Sequence, residues 1–141
     1  MKLIKSFKAL RPKKGKENDV IAPPYDVLSS SEAREMAKNK PLSFLHVSKP
    51  EIDLDPKIEF NNPKVYEKGA ENLNNLIKNK VLIQDDEDCL YIYEIILNEI
   101  SQTGIGCIAS VEAYEKNIIK KHEYTKPVKE DDRVENITKL K

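Results

Sequence analysis

The sequence has little of what marks a metal-binding or nucleic-acid-binding protein. Its 141 residues contain two cysteines and two histidines, scattered at positions 46, 89, 107 and 122, and this scatter does not match the spacing of a zinc site. Basic and acidic residues number 24 each, so no overall field attracts nucleic acid or an anionic membrane. We therefore expect no structural metal cage, and nucleic acid is not an expected partner.

Long apolar runs are also missing. No stretch approaches the roughly 20 apolar residues of a membrane span. Residues 1–16 mix charges with apolar side chains, unlike the hydrophobic core of a signal peptide. The sequence therefore predicts a cytoplasmic protein without a membrane partner, in which Cys89 and Cys107 are buried free thiols.

Two segments carry the pattern of amphipathic helices. Residues 29–40 begin with a serine and a glutamate at the spacing of a capping box, and residues 63–80 begin with a proline after a capping asparagine. In the second segment, apolar residues recur every three or four positions and form one face. Gly69 weakens this helix by about 1 kcal/mol relative to alanine, which indicates close packing at that point.

Other segments have the apolar patterns of strands. Residues 3–10 and 42–48 are predicted strands, and residues 89–114 are a predicted β-hairpin whose first strand, apolar on both faces, is central in its sheet. The glycines at 104–106 favour a bulge or twist, since no third glycine opens a helix as in a nucleotide loop. The order β-α-β-α-β-β predicts an α+β fold: a small mixed or antiparallel sheet with a β-hairpin, and two main helices on one side.

The C-terminal part of the chain is densely charged. We predict a compact domain over residues 1–117 and a charged segment over 118–141 that leads into a further C-terminal region. The segment contains lysines and an arginine able to hold phosphate, and carboxylates able to act as a base or to bind magnesium. Such a cluster suits phosphoryl transfer, which depends on positioning and charge neutralisation. A solvated surface loop is the alternative that composition alone favours.

Five short segments of the sequence are informative when they are taken together and in order. They are FKALRP, APPYDVLSSSEA, SFLHVSKPEIDL, VYEKGAENLNNLI and HEYTKPVKEDDR. Together they resemble the bacterial and archaeal proteins catalogued as domain of unknown function ten-fifteen, over residues 7–141. Lys49 stands where that family more often has an arginine, which would weaken a bidentate anion contact. Family members are usually longer and carry an Asp-Gly-His-His-Arg string past the charged segment. The resemblance therefore implies that this chain is an N-terminal portion.

The Asp-Gly-His-His-Arg string is in turn similar to one in archaeal free-serine kinases of the ParB-like fold group. The resemblance thus implies a nucleotide-dependent phosphotransferase that acts on a small hydroxyl compound and is inactive as this portion alone. Nucleotide and magnesium are the implied cofactors. The implied site residues are Glu123 or Glu130 as the catalytic base, His122, Lys129 and Arg133 on phosphate oxygens, and Asp132 on magnesium.

Two other functions stay open. The same charged groups could hold a nucleotide to switch a partner interaction without transferring phosphate. Alternatively, the chain is a structural domain whose charged segment docks on the C-terminal region. A small molecule or a nucleotide is the expected partner in the first two cases, and exposed apolar strands would favour a homo-oligomer.

Overall fold

The chain folds as α+β, which confirms the predicted class, although the order of its elements differs from the predicted order. In the computed structural model, which describes residues 2–121 and 126–141, the strands pair two at a time in small sheets. The helices are α1 (Glu17–Val20), α2 (Ser30–Ala37), α3 (Leu45–Ser48), α4 (Pro63–Lys78), α5 (Val111–Glu115) and α6 (Pro127–Leu140). The strands are β1 (Ile4–Lys5), β2 (Leu10–Pro12), β3 (Leu82–Gln84), β4 (Tyr91–Leu97), β5 (Ile100–Gly106) and β6 (Ile108–Ala109).

The chain divides into two compact units, each built from pieces that are distant in sequence. Unit 1 comprises Met1–Arg11 and Gln84–Tyr124, and unit 2 comprises Pro12–Ile83 and Thr125–Lys141. The hairpin therefore belongs to unit 1, whereas both of the predicted main helices belong to unit 2. The domain boundary expected at residue 117 stays a prediction. No helix in the described ranges is long and apolar enough to cross a membrane.

Helix α2 begins where its sequence predicts. The Ser29 hydroxyl accepts a hydrogen bond from the backbone N–H of Glu32 at 3.3 Å, and the Glu32 carboxylate accepts one from the Ser29 backbone N–H at 2.8 Å. This is a complete capping box. The bonds from the Ser29 side chain and backbone hold the pKa of Glu32 below its usual value. The buried face of α2 then contributes to a small core made of Ala33, Ala37, Leu45 and Ile52.

The predicted strand at 42–48 is wrong, since Leu45–Ser48 forms the short helix α3. A 3₁₀ turn over Pro50–Asp53 follows it directly. Leu45 packs in the core beside α2, while Val47 packs in a second core with Leu76 and Val81. Because α3 lies between two cores, it buries residues on two sides. That arrangement produces the alternation that resembles a strand, and a short apolar run cannot distinguish the two.

Helix α4 carries the contacts that assemble unit 2. The Asn62 side chain caps it by accepting a hydrogen bond from the Lys64 backbone N–H at 3.0 Å, as the sequence predicts. Along its length α4 packs against α3, the 3₁₀ turn and α6. Its Asn72 side chain donates to the carbonyl of His46 and to the carboxylate of Asp53, both at 2.7 Å. These bonds fasten α3 and the 3₁₀ turn to the helix.

The charged C-terminal segment is helical over Pro127–Leu140 and packs along α4. Pro127 occupies the first turn, where its missing N–H costs no hydrogen bond. Near the other end, Leu140 packs against the core that contains Val47. A stretch that composition alone assigns to a solvated loop is therefore one wall of unit 2.

Unit 1 contains the predicted hairpin, formed by β4 and β5 in antiparallel register. Asn98 and Glu99 both have positive φ, 48° and 67°, which suits a tight two-residue turn. The prediction that the first strand is central in its sheet is wrong: in the described chain β4 pairs with β5 alone. Ile92 and Ile96 are 82% and 68% exposed. The apolar side chains on both faces of β4 therefore do not indicate a strand on each side of it.

The predicted hairpin also extends too far. The return strand ends at Gly106, and the Ser110 hydroxyl accepts from the backbone N–H of Ala113 at 3.2 Å, which starts α5. Neither cysteine is fully buried, contrary to expectation: Cys89 is exposed and Cys107 is half-buried, although both are free thiols. The sequence stretches around them are apolar, but they lie beside an exposed hairpin.

Alanine at position 69 tests the closest approach in unit 2. A Cβ there would lie 2.8 Å from Pro50 Cγ and 3.3 Å from the Val47 carbonyl oxygen. We expect Gly69→Ala to lower the free energy of unfolding by about 1–3 kcal/mol, because overpacking outweighs the helix propensity that alanine adds. Urea unfolding measures the effect.

The matched control is Asn74→Ala, at an exposed position of the same helix. This variant should unfold at the same urea concentration as the parent or slightly higher. If Gly69→Ala is as stable as this control, the close packing of α4 on the Pro50 turn is refuted.

Candidate functional site

Unit 2 has a cleft of about 420 Å³. Three stretches that are far apart in sequence supply most of its wall: the turn before α2 together with its first residues, the junction of α3 with the 3₁₀ turn, and one face of α6. The lining residues used below are Tyr25, Asp26, Ser29, Ser30, Ser48, Lys49, Pro50, Glu51, Phe60, Val65, Tyr66, Val128, Lys129, Asp132, Arg133 and Asn136.

The turn that presents Tyr25 follows from its two prolines. Pro24 has an extended conformation, with φ −54° and ψ 140°, and a 3₁₀ turn over Tyr25–Val27 comes next. Proline also disfavours helix in the residue before it, so a longer helix cannot begin earlier. The chain therefore enters α2 through a short turn that places Tyr25 and Asp26 in the cleft wall.

A buried ion pair lies at one side of the cleft. Lys49 Nζ is 3.0 Å from Glu51 Oε1, and the Ser30 hydroxyl donates to the same oxygen at 2.7 Å. Glu51 is buried, and a buried carboxylate is stable only when paired and hydrogen-bonded. Lys49, which the sequence analysis considered as an anion contact, is therefore already paired within the protein.

Arg133 is held from two sides. Its guanidinium carbon lies 4.0 Å from the centroid of the Tyr25 ring, a cation–π distance. Its Nε also donates to Asp132 Oδ2 at 3.0 Å, and its Nη2 donates to the same oxygen. The remaining Asp132 oxygen accepts from the Tyr66 hydroxyl at 3.0 Å. The guanidinium therefore has a defined position before any ligand arrives.

The Tyr66 phenol stays protonated throughout the neutral pH range. Burial, and then the hydrogen bond to Asp132, raise the pKa of Tyr66 to about 12. The hydroxyl acts as a donor that links α4 to α6. It is therefore a positioning group for Asp132 rather than a base.

The structure brings together three of the six residues assigned roles by resemblance. Lys129, Asp132 and Arg133 line the cleft. Glu130 is exposed in the first turn of α6 and is not part of the cleft lining. His122 and Glu123 lie outside the described residues. The catalytic, phosphate-binding and magnesium roles of all six stay predictions.

Carboxylates do not cluster as a metal site in the part of the chain that is described. There, no group of three or more His, Cys, Asp or Glu side chains is arranged to hold a metal ion. Both oxygens of Asp132 accept hydrogen bonds from protein groups, one from Tyr66 and the other from Arg133. A magnesium ion at Asp132 would have to compete with those donors. The cationic and hydroxyl groups of the cleft fit a phosphate group better than they fit a metal.

Several cleft residues were missed by sequence reasoning. Tyr25 and Asp26 looked like simple turn residues, and the pairing of Lys49 with Glu51 needs the fold. Asn136 carried no signal as a single residue. However, positions 129, 132, 133 and 136 have the spacing of one helix face, and Pro127 marks the first turn. Treating this segment as a helix would have grouped the face.

The comparisons with known proteins give a family and no function. A family model described as Protein of unknown function (DUF1015) matches residues 4–141, which confirms the resemblance drawn from the five strings. No curated protein and no solved structure matches the chain. The further likeness to ParB-like kinases is not shown.

Phenylalanine at position 66 tests the protonated link between α4 and α6. The folded-state pKa of about 12 lies above the ordinary value of 10.0, so the phenol contributes stability that is fully present below about pH 10 and is lost as the pH rises toward 12. We expect the free energy of unfolding of the parent to fall more steeply over this interval than that of Tyr66→Phe. Urea unfolding at a series of alkaline pH values measures both slopes.

Tyr93→Phe, which alters an exposed tyrosine of unit 1, is the matched control. It should leave the slope of the parent unchanged. Identical slopes for the parent and Tyr66→Phe would show that burial and the hydrogen bond to Asp132 do not keep the phenol protonated.

Proposed function

We propose that this chain, which belongs to the family described as Protein of unknown function (DUF1015), binds a small phosphate-bearing molecule in the cleft of unit 2. The observation that carries the proposal is Arg133, held between the Tyr25 ring and the Asp132 carboxylate on the cleft wall. A guanidinium with a fixed orientation loses little freedom when it binds an anion.

Arg133 retains donors for a ligand. Arginine has five N–H groups, and the bonds to Asp132 involve Nε and Nη2. Nη1 makes no hydrogen bond to any other residue in the described ranges. The side chain is 29% exposed, so water and small molecules reach it. A phosphate oxygen is the acceptor that such a fork recognises best.

The charges of the cleft lining balance, so binding would depend on individual hydrogen bonds. Its lining holds three basic and three acidic side chains, so no net field draws anions in from a distance. Lys49 is paired with Glu51, while Lys129 is exposed where α6 begins. A phosphate would therefore bind through hydrogen bonds from Arg133 and Lys129. We expect the phosphate-bearing ligand to bind with modest affinity, and the shape of the cleft to decide which ligands fit.

A phosphotransferase is the second candidate. The observation in its favour is that four of the five strings behind the family resemblance supply residues to this one cleft. In that function, a nucleotide donates phosphate to a small hydroxyl compound, and Glu123 or Glu130 acts as the base. His122, Lys129 and Arg133 contact phosphate, and Asp132 binds magnesium. Binding comes first in our proposal because Glu130 lies outside the cleft lining.

Alanine at position 133 tests phosphate binding. We expect Arg133→Ala to weaken the affinity for inorganic phosphate and for ATP by about tenfold or more, since it removes charge-assisted hydrogen bonds worth about 1.5–3 kcal/mol. Isothermal titration calorimetry measures both ligands, with and without magnesium. Arg11→Ala is the matched control, because Arg11 is an exposed arginine of unit 1 paired with Asp85.

The control should bind both ligands like the parent. Failure of the parent to bind phosphate and ATP, or equal binding by Arg133→Ala, would overturn the proposal. The double variant Glu123→Gln with Glu130→Gln then separates the two candidates. In a protein that also contains the C-terminal region implied by the resemblance, a phosphotransferase loses turnover and keeps its affinity for ATP, whereas a binding module keeps the same affinity and shows no turnover in either form.

A further inference from the structure

The cleft wall contains an asparagine whose amide makes no hydrogen bond to another described residue. Asn136 is 6% exposed and lines the cleft. No other residue in the described ranges hydrogen-bonds to its side chain. Its amide atoms keep some accessible surface, unlike the Ser48 hydroxyl, so water in the cleft can bond to them. A ligand in the cleft could therefore replace water as the hydrogen-bond partner of the amide.

Asn136 lies at the deep end of the α6 face that lines the cleft. Exposure decreases along that face: Lys129 is exposed, the Arg133 side chain is 29% exposed, and Asn136 is 6% exposed. A helix rises 1.5 Å per residue, so Lys129 and Asn136 are about 10 Å apart along its axis. A ligand lying along α6 would thus meet cations at one end and a neutral amide at the other.

The surroundings of the amide suit a flat, neutral group. The lining of the same cleft includes the apolar residues Pro50, Val65 and Phe60. A second polar group in the wall, the buried Ser48 hydroxyl, also has no hydrogen-bond partner among the described residues. Apolar walls with a few unpaired polar groups are the usual composition of a small-molecule pocket.

We propose that Asn136 recognises the base of a nucleoside phosphate whose phosphate group is held by Arg133 and Lys129. An asparagine side chain offers one donor and one acceptor in a plane, which matches the N6 and N7 edge of adenine. Along the axis of α6, Asn136 lies about 4.5 Å from Arg133 and about 10 Å from Lys129, a range that includes the separation of phosphate and base in a nucleotide. This inference rests on the proposed function, since it needs phosphate bound at Arg133.

Two ligands that differ only by the base provide the test. AMP carries the base, and ribose 5-phosphate has a hydrogen-bonding hydroxyl in its place. We expect Asn136→Leu to lower the affinity for AMP about tenfold in isothermal titration calorimetry and to leave the affinity for ribose 5-phosphate unchanged. Arg133→Ala should lower the affinity for both ligands. Asn74→Ala, at an exposed asparagine of α4, is the matched control and should change neither.

Protein stability gives a second readout. Because the amide has no partner in the described fold, a leucine of similar size should leave thermal unfolding unchanged or raise its midpoint. A structural asparagine would instead give a lower midpoint. Loss of AMP affinity with ribose 5-phosphate binding retained supports the inference, whatever the midpoint.

Two results would overturn it while phosphate binding stands: equal affinity of the parent for the two ligands, or an equal loss of both in Asn136→Leu. If the parent binds neither ligand, the proposed function fails and the inference fails with it. That result differs from the other two, because binding is then already absent before any substitution.

Discussion

Asp132 and Arg133 join three parts of unit 2 that the chain brings from far apart. Asp132 accepts a hydrogen bond from Tyr66 on α4 and bonds from the neighbouring Arg133, while Arg133 stacks on Tyr25 in the turn before α2. Each contact restricts the next, since the carboxylate orients the guanidinium and the guanidinium meets the ring. Without them, α6 would keep mainly Leu140 as its contact with the core. This polar network therefore joins three walls of the cleft.

The network depends in turn on a rigid support. Helix α4 approaches the Pro50 turn so closely that position 69 has no room for a side chain, and this contact places the Lys49–Glu51 pair at the cleft. Burying that pair costs desolvation energy, which the mutual attraction and the Ser30 hydrogen bond offset. Close packing and paired charges therefore hold this wall.

Family membership and geometry contribute different things to the functional argument. The chain shares its sequence pattern with a family described only as proteins of unknown function, so membership of that family does not identify a reaction. Geometry shows that most of the strings behind the resemblance meet in one cleft. That convergence favours a ligand site over a purely structural role for the charged segment. Lys129, Asp132 and Arg133 line the cleft because they share one face of α6, whereas Glu130 lies on another face of that helix.

Local interactions let the sequence determine the α+β class, the caps of α2 and α4, the hairpin, and the need for glycine at position 69. Neighbouring residues carry each of these signals through capping hydrogen bonds and helical or strand period. Tertiary structure alone decided that residues 45–48 form a helix between two cores, and that the charged segment packs on α4. It also decided that Asn136 is buried at a cleft. Those outcomes depend on what packs from elsewhere in the chain, which local pattern does not encode.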